Sequence, residues 1–403
     1  MEPNIRIKGF DGDWEERSLG DIYTERNERG NDSLQILSVS IHDGVSDGEL
    51  DEEGLGKVVR RSEDKSTYKH VYEGDLVFNM MRAWQGAIGV VKTEGMISPA
   101  YISAIPNASV YPPFMDYVLR RKEAIDQINN LSYGVTDFRK RLYWDSFVKV
   151  KCHRPSVEEQ KRITDTLESL DRYTLLNQRQ CDDLRELKKY MLQKMFPKDG
   201  EKVPEIRFAG FEGEWEQRKL GDVAEVVGGG TPDTNNSEYW DGDINWYAPA
   251  EIGDQIYVES SVRKITQLGL EKSSAKILPA HRTVLFTSRA GIGNTAILHT
   301  PAATNQGFQS MVLHDDTNPY FVYSMTDMIK VKAERVASGS TFAEISGRML
   351  GNLEFMFPSK NEQDKIGGYF EALDSLITHH QRRHDTLLEF KAYLLQNMFP
   401  KEG

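Results

Sequence analysis

At 403 residues the chain has length for two to four domains, and its composition, 39% hydrophobic and 28% charged, is that of a globular protein. No apolar run approaches the roughly 18 residues that span a bilayer, and Met1 to Arg6 lack the layout of a signal peptide; Cys152 and Cys181 lack C-x-x-C spacing, so a cytoplasmic chain with two buried thiols is expected, without a disulfide framework, a cysteine zinc site or a membrane partner. The formal net charge of −12 excludes a protein that binds nucleic acid with its whole surface, because phosphate neutralisation dominates such affinity, and leaves that role to local basic clusters.

In chain order, the first element is a segment that occurs twice. Ile5 through Asp21 recurs as Ile206 through Asp222, and the ending Tyr190, Leu192-Gln193, Met195-Phe196-Pro197-Lys198 recurs as Tyr393, Leu395-Gln396, Met398-Phe399-Pro400-Lys401. Two copies are too few for a solenoid, so a pseudo-two-fold molecule is expected, suited to duplex DNA, whose backbone carries two-fold axes. Residues 1–155 read as a globular unit rich in strands: Gly74 to Asn79 and Ala87 to Val91 predict two strands around a loop carrying Arg82, Trp84 and Gln85.

Residues 156–197 predict one long helix, with Pro155 before it, a Ser156-x-x-Glu159 capping box and Phe196-Pro197 as its stop. Ile163, Leu167, Leu170, Thr174, Asn177, Cys181 and Leu184 form a heptad seam along it. Residues 198–357 predict a second globular unit, in which Thr283 to Thr287 and Thr295 to Leu298 flank a loop with Ser288, Arg289 and Asn294. Residues 358–403 repeat the helix, from Ser359-x-x-Glu362 through Ile366, Phe370, Leu373, Ile377, His380, His384 and Leu387 to Phe399-Pro400. Each helix of about 40 residues would run about 60 Å. The second can pack on the first only by returning, which predicts an antiparallel pair. Thr174 and Asn177 opposite His380 and His384 would fix its register; the two histidines, spaced i and i+4, are alternatively metal ligands, without an evident third. The fold class expected is α+β, two α/β units in pseudo-two-fold tandem separated by a long antiparallel two-helix coiled coil.

These residues resemble the specificity subunits of type I restriction-modification systems. The matching elements are Trp14-Glu-x-Arg-x-Leu-Gly-Asp21 and its copy at Trp215 to Asp222, Gly229-Gly230-Thr231-Pro232 leading to Tyr239-Trp240, Ile244-Asn245-Trp246, Asn305-Gln306-Gly307-Phe308, Gly339-Ser340-Thr341, and the Pro-Ser-x-x-Glu-Gln helix starts at Pro155 and Pro358. The resemblance covers the whole chain. It implies two target recognition domains, each reading one half of a split DNA site, and paired helices that act as a ruler and as a dock. The implied partners are double-stranded DNA, two methyltransferase subunits and ATP-dependent motor-nuclease subunits, with S-adenosylmethionine held by the methyltransferase and no cofactor in this chain. The first unit departs from the pattern: it lacks the Gly-Thr-Pro turn, has Ile97-Ser98-Pro99-Ala100-Tyr101 where the second has Thr304 to Phe308, and carries Tyr133 to Phe138 before a basic run.

Base readout needs side chains that reach groove edges with paired donors and acceptors, which Arg, Gln and Asn supply. Arg82 with Gln85, and Arg289 with Asn294, are the leading candidate readers, with a structural salt bridge as the alternative for each arginine. Ser288, Asn305 and Gln306 join them as DNA-binding candidates. Lys57, Arg60, Arg61, Lys65, Lys69, Arg139, Lys140, Lys272 and Lys276 suit phosphate contacts, against plain solvent exposure. Trp84, Trp240 and Trp246 would stack on nucleotides or, more commonly for aromatic rings, pack in the core.

A catalytic reading finds little support. Tyr111-Pro112-Pro113-Phe114 looks like an amino-methyltransferase motif whose first position lacks the required amide or carboxylate, and no glycine-rich methyl-donor turn precedes it. Gly228-Gly229-Gly230 lacks dinucleotide or P-loop spacing and reads as a flexible turn. The expectation is a non-catalytic DNA-recognition subunit; its rivals are a stand-alone DNA-binding regulator and an enzyme acting alone on DNA.

Overall fold

The computed structural model describes residues 1–42, 44–47, 67–134, 140–253, 255–289, 291–337 and 344–400. The chain divides into two compact units, Met1–Leu176 with Arg383–Gly403, and Asn177–Arg382. Two helices of 38 residues each, Val157–Lys194 and Lys360–Asn397, are thereby shared, part of each helix belonging to each unit. Among the described residues no helix is long and apolar enough to cross a membrane.

The first unit is framed by Glu15–Ser18 paired antiparallel with Lys151–Arg154. Its main sheet has four strands in the order Tyr23–Arg26, Tyr101–Pro106, Leu76–Asn79, Ile88–Val90. All four residues of Leu76–Asn79 are buried, as a central strand covered on both faces requires. Phe78, Phe114 and Phe147 build the core with Trp14, Ile163 and Leu167, and the end of the second long helix enters it through Leu394, Met398 and Phe399.

The second unit repeats this plan. Glu216–Lys219 pairs antiparallel with Glu354–Phe357. Its main sheet runs Ala224–Gly228, Gln309–Leu313, Thr283–Phe286, Thr295–Leu298, and adds Tyr257–Val258 as a parallel edge. A three-stranded sheet beside it has Trp240–Tyr247 in the middle, antiparallel to Arg263–Ile265 and parallel to Ala302–Thr304. Here Met195 and Phe196, at the end of the first long helix, complete the core.

The repeated motifs explain themselves in the packing. Trp14 lies against Phe114 and Phe399, and Trp215 against Phe321 and Phe196, so each opening tryptophan meets a closing Met-Phe-Pro. Ile5 N–H donates to the Asn397 carbonyl at 2.8 Å and Ile206 N–H to that of Lys194 at 2.9 Å. At roughly 1.5–3 kcal/mol for each large side chain buried, these clusters secure the start of each unit to the end of a long helix.

Of the capping boxes expected at the helix starts, the first is half formed and the second is not, its Glu362 N–H going to the Ser359 carbonyl at 3.0 Å. Glu159 N–H reaches the Ser156 hydroxyl at 3.3 Å, but the Glu159 carboxylate takes the Arg6 guanidinium through two bonds of 2.8 Å. Glu362 does the same with Arg207 at 2.7 and 2.8 Å. A charge-assisted bidentate pair outcompetes a single bond to a backbone amide. The neighbouring glutamines act as tethers: Gln160 joins Tyr111 N–H to the Pro155 carbonyl, and Gln363 joins Asn318 N–H to that of Pro358. Tyr111 is thus the cap of the helix Pro112–Leu119, which accounts for the Tyr-Pro-Pro-Phe run without catalysis.

Within each unit the two helices run in opposite directions. In the first, His384 Nδ1 lies 3.2 Å from the Thr174 carbonyl and Lys391 reaches Asp171. In the second, His380 Nδ1 is 3.1 Å from Asn177 Oδ1, Cys181 Sγ is 3.4 Å from the Ile377 carbonyl, and Lys188 holds Asp374 at 2.6 and 2.8 Å. Each histidine therefore takes its own polar partner on the facing helix.

Candidate nucleic-acid interface

In the second unit, topology gathers the candidate readers at one end of the three-stranded sheet. Tyr247 is in register with Thr304, and Trp246 with Arg263, so the segments after Thr304 and before Arg263 emerge at the same end. Asn305 N–H is held by the Tyr247 carbonyl at 3.0 Å, and the Asn305 side-chain oxygen accepts from Gly307 N–H at 2.7 Å. Gln306 is exposed and its side-chain amide oxygen accepts from the Thr231 hydroxyl. The loop between Thr283–Phe286 and Thr295–Leu298 is bonded to the same place, with Ser288 N–H donating to the Gly307 carbonyl at 2.7 Å. Arg289 follows, half-buried, its Nε beside Gly307. Among the described residues Arg289 has no ion-pair partner, and its guanidinium and the Asn305 side-chain oxygen both lie against Gly307.

The described residues of this loop are tied to one another. Thr287 Oγ1 accepts from Asn294 N–H at 2.9 Å and donates to the Gly291 carbonyl at 2.5 Å. Gly293, at φ +90°, leaves no room for a side chain because a Cβ there would stand 2.6 Å from Lys330 Cγ. Two expected readers face inward here. Asn294 donates its amide to the Ile252 carbonyl at 3.2 Å, and Ser288 is fully buried with its hydroxyl away from solvent. Asn294 thus supports the loop, while the Ser288 hydroxyl is enclosed without a hydrogen-bond partner among the described residues.

The Gly228-Gly229-Gly230 segment is a close-packing site and not a flexible turn. A Cβ on Gly229 would lie 1.9 Å from the Asn305 carbonyl oxygen, and one on Gly230 would lie 2.3 Å from Ser274 Oγ. The contact brings the segment of Lys272 and Lys276 against the same end of the sheet; both lysines are exposed and without an ion pair among the described residues. Trp240 and Trp246 are buried, with their indole N–H groups donating to the Asp233 and Gly230 carbonyls, so they are core and not stacking platforms. Arg263 stacks on Trp240, 3.5 Å from its ring centre.

In the first unit, the equivalent loop follows Leu76–Asn79. Asn79 ties it by accepting from Met81 and Arg82 N–H groups at 3.0 Å, and Gly86 closes it at φ +105°. Arg82 and Gln85 are exposed, and no hydrogen bond or ion pair engages either side chain among the described residues. Trp84 instead donates to the Met81 carbonyl at 2.9 Å and packs on the core, so it serves the loop's shape. Lys69 donates to the Tyr101 carbonyl at 3.0 Å from a half-buried position that pushes its pKa down. Lys140 reaches Asn129 at 3.3 Å. Lys57, Arg60, Arg61, Lys65 and Arg139, like Gly339-Ser340-Thr341, lie outside the described residues.

Residue patterns alone did not single out the Thr231 hydroxyl as a member of the site, nor the Arg6–Glu159 and Arg207–Glu362 pairs or the Lys391–Asp171 and Lys188–Asp374 pairs. The signal for the pairs was present: every member recurs at the repeat offset, as the same residue or with the two partners exchanged between helices.

Residues 212–389 match the type I restriction modification DNA specificity domain. The MjaIX specificity subunit of Methanocaldococcus jannaschii is 35% identical over 190 residues, 46% of this chain and 44% of that one. The EcoR124I/EcoR124II specificity subunit of Escherichia coli is 28% identical over 174 residues, 41% of this chain and 42% of that one, so the chain spans less than half the length of either relative. A longer alignment, at 21% identity, covers 89% of this chain and 94% of the HindI specificity subunit of Haemophilus influenzae. In fold, the S subunit of a type I restriction-modification system from M. genitalium matches over the full length of both chains with a TM-score of 0.59 at 14% identity. The HsdS subunit from Thermoanaerobacter tengcongensis, at 17% identity, matches with 0.51 over 97% of this chain and 98% of that one. The chain is thus similar, in its matched stretches and in its fold, to the specificity subunits of type I restriction-modification systems.

Proposed function

We propose that this chain is the non-catalytic DNA-recognition subunit of a type I restriction-modification complex, each unit reading one half of a bipartite, asymmetric site. The observation that carries this reading is a shared frame with divergent tips. The two units have the same framing pairs, the same sheet order and the same Arg–Glu and Trp–Phe ties, yet one presents Arg82 with Gln85 and the other Arg289 with Gln306. Residues 1–155 and 198–357 are assigned as the target recognition domains, and 156–197 and 358–403 as the helices that carry them.

The partners in this reading are two methyltransferase subunits, which hold S-adenosylmethionine, and ATP-dependent motor-nuclease subunits, all in the cytoplasm with the DNA. Support for two identical partners comes from the long helices. Leu187 and Tyr190 on one, and Phe390 and Tyr393 on the other, are exposed apolar pairs 203 positions apart. Such pairs present two like surfaces to two like molecules.

Co-expression with a type I methyltransferase chain from the same genome tests the proposal. The expected result is a complex with two methyltransferase chains per copy of this chain, and methylation of one bipartite motif that disappears when this chain is omitted. Tight site-specific binding by this chain alone, with no such complex and no methylation, would assign it to a stand-alone regulator.

A further inference from the structure

Val262 is 86% exposed, whereas no other large apolar residue exceeds 56% among the described residues. A lone exposed apolar side chain is ordinary on a protein surface. This one differs in how it is held. Its N–H donates to one Glu251 oxygen at 2.6 Å, while the other accepts from Ala248 N–H at 2.9 Å. Ser261, buried, accepts from Trp246 N–H at 2.9 Å and donates to the Arg263 carbonyl at 2.5 Å. Asn245 completes the bracket, accepting from Ser261 N–H at 3.3 Å and donating to the Glu259 carbonyl at 3.1 Å. Three polar side chains thus fix the backbone on both sides of a side chain that touches almost nothing.

The place is as specific as the support. Val262 precedes Arg263, at the end of the sheet where Asn305 and Gln306 follow Thr304, two strands away or about 10 Å. That distance is about three base-pair steps of roughly 3.4 Å, within the reach of one half-site. The Arg263 guanidinium beside it is fixed on Trp240. The groove edges of a duplex offer hydrogen-bonding groups almost everywhere, and their one apolar projection in the major groove is the C5-methyl of thymine.

We propose that Val262 is a specificity-determining residue that reads the C5-methyl of one thymine in the half-site bound by the second unit. The proposal rests on the DNA-recognition reading above. An isopropyl group held rigidly toward the groove gains contact with the methyl and loses no rotamer freedom beyond its single χ1; without the methyl it faces a gap. The same C5-methyl occurs on 5-methylcytosine, so the two sources are separated by the test.

The motif is first read from the DNA methylated by the full complex. Duplexes in which each thymine of the second half-site is replaced in turn by deoxyuridine, which lacks only the methyl, are then titrated against the wild-type complex and Val262→Ala. At one thymine, wild type should bind the deoxyuridine duplex about threefold to tenfold more weakly. Val262→Ala should bind the thymine duplex more weakly by a similar factor, with no further loss on deoxyuridine. Equal binding at every position, a loss that Val262→Ala shares, or a half-site without thymine would overturn the proposal. So would Val262-dependent preference for a 5-methylcytosine duplex alone. A complex with no preferred sequence would instead overturn the DNA-recognition reading itself, whereas sequence-specific binding indifferent to the methyl removes only the role of Val262.

Discussion

Arg289 stands beside Gly307 without an ion-pair partner among the described residues, on a loop fixed by Thr287 and Asn294. An unpaired guanidinium held on such a loop keeps its five donors for a ligand, and its fork matches the guanine edge. Arg289→Ala is expected to weaken binding of the matched second half-site by about 1–3 kcal/mol and to leave first-half variants as they were. A phosphate contact would weaken all sequences equally, so titration against variants of each half decides the role. A second residue-scale contrast lies in the helix pair. Asp374 is buried and accepts from Lys188 and, at 2.7 Å, from the Tyr320 hydroxyl, whereas the side chain of its counterpart Asp171 is 47% exposed. Asp374→Ala strands a tyrosine hydroxyl and a lysine and is expected to cost about 2–4 kcal/mol, against under about 1 kcal/mol for Asp171→Ala, in urea unfolding. The sequence supplied Arg82, Gln85, Arg289 and Gln306 as residues of the right chemistry on the right loops. It could not separate them from Asn294, Ser288 and Trp84, because which polar group a loop spends on its own rigidity depends on main-chain partners such as Ile252 and Met81. Val262 has no signature at all, since exposure of a single apolar residue depends on the loop around it.

At the scale of elements, the long helices were the most legible part of the chain. A heptad-like period, a serine before it and proline after it act through local geometry, and the helices form over Val157–Lys194 and Lys360–Asn397. The glutamates of the expected capping boxes were misread for the opposite reason: Arg6 and Arg207 are about 150 residues away in sequence, and a long-range bidentate pair overrides a local bond. The two helices carry a testable equivalence. Tyr190 and Tyr393 are about half exposed, at equivalent positions on separate helices, and neither belongs to a core. Each of Tyr190→Asp and Tyr393→Asp, by placing a charge in one apolar patch, is expected to reduce the complex from two methyltransferase subunits to one by mass measurement, and the double variant to none. Two subunits retained in the double variant would place docking elsewhere.

For the whole molecule, the repeat offset is the feature from which most else follows. A chain that uses Trp–Phe, Arg–Glu and backbone ties twice, with the partners at equivalent positions, has two units that fold by the same rules while their loops differ. The frame was legible because repetition exposes it within one sequence; the loops were not, since divergent segments have nothing in the chain to be compared with. The division also has a functional consequence. Residues 206–355 of the second unit keep their ties at fixed boundary positions: Ile206 to Lys194 at one end, and the strand pair Glu216–Lys219 with Glu354–Phe357 at the other. The same segment from a relative with a different target should therefore seat on this frame, provided its own equivalents of Arg207 and Trp215 are present to meet Glu362 and Phe196. In the assembled methyltransferase, such a chimera is expected to change one half of the methylated motif and leave the other half intact. Sequencing the methylated positions reads both halves at once. A change in both, or in neither with the complex intact, would mean that the target is read jointly and not by two independent units.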